Sequence, residues 1–447
     1  MQQTEQTPGR TNAAAFNPKS QRYALLSAMF LMSMAAVGPG FITQTANFTV
    51  KLGAAFAFAI IVSIIIDFVV QANVWRIVTV TQMRAPAIAN AAIPGSGYLL
   101  AVLVIIGGLF FNIGNIGGAG LGFNAMIDLD PKIGGAIGAL VAIGIFLSRR
   151  AGVAMDRVVY VAAFVKLALI LYAAIVSGPP VAEAFHQTFL PDTIDFATIT
   201  TIVGGTVGGY ITYAGAHRLL DKGTVGVENI GAVNRAALSG IAITGVLRYI
   251  LFLAILGVVA SGVVIDLSGK AANPAGQAFH AAAGDIGFRL FGAVFLASAL
   301  TSIIGAAYTS VSFLTAFKPE MTERQRNLST VAFICVSLVS YILITTPPAA
   351  MLVFVGGLNG LVLPIGLSML LFACLEASGP DARLPLSALA AYPRRAHLLP
   401  DMVHGLQVCW PDLRSAWTVR STSKHLSWPP ERGHEHQRVR RTSPWRI

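Results

Sequence analysis

Apolar residues in this chain come in long unbroken runs. Ten stretches, each about as long as the ~20 residues a bilayer-crossing helix needs, are separated by charged or Pro-bearing breaks. They fall at roughly 23–50, 54–75, 97–127, 133–148, 158–177, 197–217, 238–264, 287–316, 328–346 and 349–373. The third and eighth are long enough to tilt or to project beyond the bilayer.

Charge in the breaks alternates from side to side. Lys19 and Arg22 precede the first span, and Arg76 and Arg84 follow the second. Arg149, Arg150 and Arg157 follow the fourth, Arg218, Lys222 and Arg235 the sixth, and Lys318, Arg324 and Arg326 the eighth. The intervening breaks hold Lys51, Lys132 and Lys270 beside Asp128, Asp130, Glu183, Asp192, Asp195, Asp266 and Asp285. Because basic loops stay on the cytoplasmic side, the N-terminus is expected in the cytoplasm, in what is expected to be the cell membrane.

Composition agrees with this pattern. Of 447 residues, 55% are hydrophobic and 11% charged, against about 25% charged in an ordinary soluble domain, so a conventional soluble enzyme is excluded. The net charge of +11 suggests nucleic acid only until its alternation across the spans is seen. Cys335, Cys374 and Cys409 are too scattered for a disulfide framework or a thiolate metal site. Residues 1–21 lack the apolar core of a cleavable signal peptide and read as a cytoplasmic tail before a transporter domain at 22–374. Residues 375–447 differ in kind, holding 11 of the 31 basic residues, 5 of the 8 histidines and 4 of the 5 tryptophans. That segment reads either as a disordered basic tail near anionic lipid or as a frame-shifted replacement for further membrane helix.

Polar side chains inside hydrocarbon are costly, so each is a functional candidate. The first span contains Gly38-Pro39-Gly40, which removes a backbone donor and loosens the helix, followed by Thr43, Gln44, Thr45, Asn47 and Thr49. The sixth contains Gly204-Gly205-Thr206-Val207-Gly208-Gly209-Tyr210, whose glycines permit an unwound segment with exposed carbonyls. These two interrupted spans occupy corresponding positions in two five-helix halves, the arrangement that points to a transporter binding site at the bilayer midplane. Thr43, Gln44, Thr45, Asn47, Gly205, Thr206, Gly208, Gly209 and Tyr210 are therefore the candidate substrate-binding residues.

A second group marks a candidate cation or proton pathway. Asp67, one turn before Gln71, is the single acid deep within a span; it binds a cation, carries a proton, or pairs with a buried base such as Lys166 or Arg248. Asn112 and Asn115 accompany a stripe of small residues, Gly114, Gly118 and Gly122, that favours close helix packing. His217 and Arg218 mark the end of the sixth span, with His217 a candidate proton carrier.

Gly38-Pro39-Gly40-Phe41-Ile42, the stretch Gly118-Ala119-Gly120-Leu121-Gly122-Phe123-Asn124, and Gly204-Gly205-Thr206-Val207 together resemble the Nramp family of divalent-metal transporters over roughly residues 22–374. The resemblance implies an all-α leucine-transporter-type fold: two inverted five-helix repeats, with cargo held between broken helices one and six. It implies no resident cofactor, the metal being cargo; the expected partners are the lipid bilayer and the divalent cation, with no nucleic acid.

The departures from that family fall on its chemistry. Its Asp-Pro-Gly-Asn has no counterpart Asp here. Gly208-Gly209-Tyr210 stands where the family has Met-Pro-His, and the family's acidic pair on span three would fall at Asn112 and Asn115. Loss of a soft sulfur ligand leaves oxygen donors, which suit Mg²⁺ or Mn²⁺, and the resemblance then implies Gln44, Asn47 and Gly205 as the candidate metal ligands. The expected function is thus secondary transport or facilitated movement of hard divalent cations; the alternative is a transporter of the same fold for an organic solute such as an amino acid. An intramembrane enzyme is excluded by the lack of HExxH, GxSxG or paired membrane aspartates.

Overall fold

The computed structural model describes residues 36–148, 164–267 and 273–376, together with scattered helical positions between 22 and 33. The chain divides into a unit Met1–Ala391 and a second, Tyr392–Ile447, which lies outside the described residues together with most of the expected tail.

Every regular element among the described residues is a helix. In chain order the helices are α1 Pro39–Leu52, α2 Phe56–Thr81, α3 Ala85–Ala92, α4 Ser96–Ile127, α5 Pro131–Leu147, α6 Phe164–Val176 and α7 Val181–Phe189. They continue as α8 Phe196–Thr206, α9 Ile211–Asp221, α10 Ile230–Ala260, α11 Pro274–Ser312, α12 Glu323–Leu343 and α13 Pro348–Glu376. Among the described residues, six helical segments are long and apolar enough to cross a membrane unaided.

The remaining expected spans are short, bent or broken, and the causes are local. The first span is helical at its described positions before Val37, breaks at Gly38 (φ −80°, ψ −172°), and resumes with Pro39 as the first residue of α1. Proline is favoured there because its missing N–H would have no helical partner anyway. The sixth span stops at Thr206, turns through Val207–Tyr210, and resumes as α9. The eighth begins earlier than its hydropathy suggests, because α11 contains a non-helical Gly284 (φ 63°) that separates an extra N-terminal segment from the main span. Helices α3 and α7 are short elements that no apolar run announced.

Burial sorts the helices into two classes. Residues 36–49, 111–122 and 201–217 are buried on every face. A helix enclosed on all sides lies at the centre of its bundle. Accordingly α1 touches α4, α8, α10, α11 and α13. By contrast α5, α6 and α12 display large apolar side chains outward, among them Leu140, Phe164, Ile175, Val339 and Leu343, as a lipid-facing surface should. The polar stretches of spans one, three and six are therefore the innermost parts of the molecule.

Packing at this centre depends on missing side chains. A Cβ on Gly118 would stand 2.5 Å from the Pro39 ring, so α4 approaches the break in helix one only as glycine.

Candidate functional site

The two breaks and the polar side chains around them form the candidate site. On α1, Thr45 and Thr49 donate to the Phe41 and Thr45 carbonyls one turn back, at 2.8 and 2.7 Å, so both hydroxyls are spent within their own helix. Gln44 reaches further: its Nε2 donates to the Leu352 carbonyl of α13 at 2.9 Å. Its Oε1 has no partner and lies so near Gly205 that a Cβ there would sit 2.1 Å away. Gln44 thus joins α1, α8 and α13. Asn47 is buried further along α1, and the Thr43 hydroxyl is buried with no partner. All five polar residues from Thr43 to Thr49 lie on regular helix after the break, not within the unwound segment.

Around the second break, Gly209 adopts φ +55°, a left-handed conformation that disfavours any residue with a Cβ. It also lies against Asn359 of α13, whose amide donates to the Gly107 carbonyl at 3.3 Å. Gly208 closes over the Gly204 carbonyl. Tyr210 is fully buried, stacks edge-on against Phe111 at 5.5 Å, and turns its hydroxyl toward Asn115. Asn115 therefore belongs to the second break. Asn112 does not: it donates to Ser337 on α12 at 3.2 Å, a packing contact away from the breaks.

Three ionisable side chains are buried near the first break. Asp67 on α2 faces the Thr206 hydroxyl at the end of α8 and the Arg248 guanidinium from α10. Arg248 lies 4.4 Å above the Phe41 ring and donates to Ser63 at 3.3 Å, leaving Nε and Nη2 unpartnered. Of the two bases considered for Asp67, Arg248 is the one beside it. Lys166 on α6 points elsewhere, donating to the Val37 carbonyl at 3.0 Å. Gln71 accepts from Thr212 at 2.9 Å, which ties α2 to α9.

His217 is held away from this centre. Its Nε2 accepts from the Ala85 backbone N–H at 3.4 Å, so the ring proton sits on Nδ1, which is 2.9 Å from Ser312. A ring engaged this way pins α3, α9 and α11 together.

Chemically, the arrangement offers hydroxyls, amides and freed carbonyls, with one carboxyl and two cationic groups. Among the described residues no group of three or more His, Cys, Asp or Glu side chains is placed to hold a metal ion. The pairing of Arg248 with Phe41 and of Lys166 with Val37 escaped sequence reading except as buried basic residues. The signal available was their position deep in apolar runs; nothing in the order of residues shows what each touches.

Comparison with known proteins agrees with this architecture. The family model for natural resistance-associated macrophage protein-like proteins, Nramp, matches residues 29–378. The uncharacterized membrane protein YcsG of Bacillus subtilis (strain 168) is 50% identical over 352 residues, covering 79% of this chain and 86% of that protein. An uncharacterized membrane protein of Haemophilus influenzae is 50% identical over 358 residues, covering 80% and 88%. Among solved structures, the manganese transporter of Eremococcus coleocola superposes with a TM-score of 0.61 at 16% identity, covering 94% of this chain and 91% of that one. MhsT in complex with L-phenylalanine superposes with a TM-score of 0.54 at 16% identity, covering 81% and 94%. The fold is the leucine-transporter type, with two inverted five-helix repeats and breaks in helices one and six. This chain, a multi-pass integral membrane protein, belongs to the Nramp family.

Proposed function

We infer that the protein is a secondary transporter which binds its cargo where the broken helices one and six meet and exposes it alternately to the two sides of the membrane. The paired breaks carry this reading, since unwound backbone at membrane depth is tolerated where it lines a cavity or binds a solute. With basic breaks cytoplasmic, the N-terminus lies inside the cell, and the cell membrane is the site of action.

Metal-ion cargo has the support of family membership and of the fold shared with the manganese transporter. Gly208 and Tyr210 in place of the family's Met and His remove soft donors, and Thr43, Gln44, Asn47 and Asp67 supply oxygens. On this reading the cargo is a hard ion, Mg²⁺ or Mn²⁺. The pathway members are then Asp67 and Asn115, with Asn112 and His217 as supports of the helices carrying them.

A specific observation favours a second cargo, a small organic solute bearing a carboxylate. Arg248 keeps two unpartnered N–H groups beside the first turn of α1, while Lys166 adds a second buried cation at the break. Two buried cations against one buried acid suit an anion better than a dication.

Uptake into proteoliposomes separates the two. Accumulation of Mn²⁺ or Mg²⁺ that falls in Asp67→Asn and Asn47→Ala variants supports the metal reading. Metal-independent uptake of an amino acid or other carboxylate, lost in Arg248→Met, supports the second. No uptake of any of these by folded protein would remove both.

A further inference from the structure

Three arginines gather around one carboxylate at the basic end of the bundle. Arg84, at the junction of α2 and α3, pairs with Asp221 of α9 at 2.6 Å, and the Tyr308 hydroxyl of α11 donates to the other oxygen of the same carboxyl. Arg218, one turn before Asp221 on α9, and Arg326 of α12 both bear electrostatically on that hydroxyl. The Arg326 guanidinium lies 5.5 Å from the centroid of the Tyr308 ring. Each guanidinium keeps a buried N–H without a partner: at Nη1 of Arg84, Nε of Arg218 and Nε of Arg326. Glu320 and Glu323 are exposed nearby in sequence, yet among the described residues Asp221 is the carboxylate that pairs with any of the three arginines. Lys222, Lys318 and Arg324, all exposed, flank the cluster along the chain.

One carboxylate balances one guanidinium, so the cluster carries an excess of about two positive charges in a partly desolvated place. A purely structural ion-pair network would match those charges with acids, and a packing role would be met by amide or apolar side chains without the cost. What the cluster lacks is an anion. Planar guanidinium forks suit carboxylate and phosphate alike, but close to two negative charges on a single group is what a phosphate offers. We propose that Arg84, Arg218 and Arg326 form a binding site for a phosphate group, supplied by an anionic lipid headgroup or by free phosphate. Bound there, the phosphate links the α2–α3 junction, α9 and α12 through charged hydrogen bonds that the protein alone leaves unmade. Because α9 is the helix that follows the second break, occupancy anchors the far end of that helix. The assignment depends on neither choice of cargo.

The test needs no cargo. Thermal unfolding of the delipidated full-length protein in detergent is followed at equal ionic strength in sodium chloride alone, with inorganic phosphate, with dihexanoyl phosphatidic acid, and with dihexanoyl phosphatidylcholine. Phosphate or phosphatidic acid is expected to raise the melting temperature by about 3 °C, whereas phosphatidylcholine, which carries its own counter-charge, is not. A rise with phosphatidic acid alone assigns the site to a lipid headgroup, and a rise with inorganic phosphate assigns it to free phosphate groups. No rise with either, or an equal rise with phosphatidylcholine, overturns the proposal. The double variant Arg218→Gln/Arg326→Gln leaves the Arg84–Asp221 pair in place and is expected to lose the response; an equal rise in wild type and variant overturns the proposal. Should that variant fail to fold, the wild type itself decides. Phenylglyoxal modification of Arg218 and Arg326, read by mass spectrometry, is expected to slow about fivefold with the anion bound while that of the exposed Arg324 is unchanged. Equal slowing at all three positions, or none, overturns the proposal. Because none of these readouts involves uptake, they can fail while the transporter reading stands, and the reverse.

Discussion

The Arg248 guanidinium lies 4.4 Å from the centroid of the Phe41 ring, one turn into the helix that follows the first break. A desolvated contact of this kind is worth about 2 kcal/mol, and it sets the charge of α10 directly on the first turn of α1. Asp67 faces the same guanidinium, so the pair spans α2 and α10 while bearing on the helix-one break.

Removing one member of this pair should hurt more than removing both. Arg248→Met leaves the Asp67 carboxyl buried beside Thr206 without a cation, a loss of about 3–5 kcal/mol. The double variant Asp67→Asn/Arg248→Met is expected to recover more than half of that stability in detergent unfolding. Strictly additive losses would show that the two groups do not sense each other.

Gly209 and Gly231 give opposite expectations for the same substitution. Gly209→Ala forces a Cβ into φ +55°, costing about 1–2 kcal/mol, and sets it against Asn359. Its melting temperature should fall, and adding Asn359→Ala should restore only part of the loss. Gly231→Ala on α10 meets nothing within 4 Å and should be neutral or stabilising by up to about 1 kcal/mol.

The start of α8 should be sensitive to acid. Asp195 caps it, accepting from the Ala197 and Thr198 amides, and the Thr198 hydroxyl donates to its second oxygen at 2.7 Å. That hydroxyl and the two amides hold the Asp195 carboxyl below the usual aspartate range. A depressed folded value means the cap's contribution is complete above the unfolded pKa of about 3.9 and is lost as pH falls through the lower folded value. Asp195→Ala is expected to cost about 1 kcal/mol near neutral pH and progressively less below pH 4. A cost independent of pH would contradict the charged cap.

A salt bridge at the basic end of the bundle should matter much less. Arg84 and Asp221 meet at 2.6 Å with side chains about one-fifth exposed, and Tyr308 also donates to Asp221. Partly solvated pairs contribute under about 1 kcal/mol, so Asp221→Asn should lower the melting temperature far less than Arg248→Met. A comparable loss would mean that this end is closed by more than the pair.

The places where helices one and six break were legible because glycine and proline act locally. Pro39 lacks the backbone donor that an uninterrupted helix would need there, and Gly208 and Gly209 each weaken a helix by about 1 kcal/mol. All-round burial of spans one, three and six was legible only as polar density, since Thr43, Gln44, Asn115 and Thr206 would be costly in lipid. The partners were not legible. Whether Asp67 meets Lys166 or Arg248, and whether Asn112 meets cargo or Ser337, depends on how helices far apart in the chain are rotated against one another. Helices α3 and α7 were missed because 8 and 9 residues are too few to register as spans.

The contact of Gln44 with the Leu352 carbonyl and with Gly205 has a mechanical consequence. Helices α1, α8 and α13 meet there at van der Waals distance, and Gly204 lies against the backbone of Gly356 and Gly360. Such a junction has no slack for sliding. On the transport reading proposed above, the three helices are expected to move as one body, with bending concentrated at two short joints, Val37–Gly38 and Val207–Tyr210. The glycines in those joints are its bearings, and Gln44 is the bolt that keeps the moving arm whole.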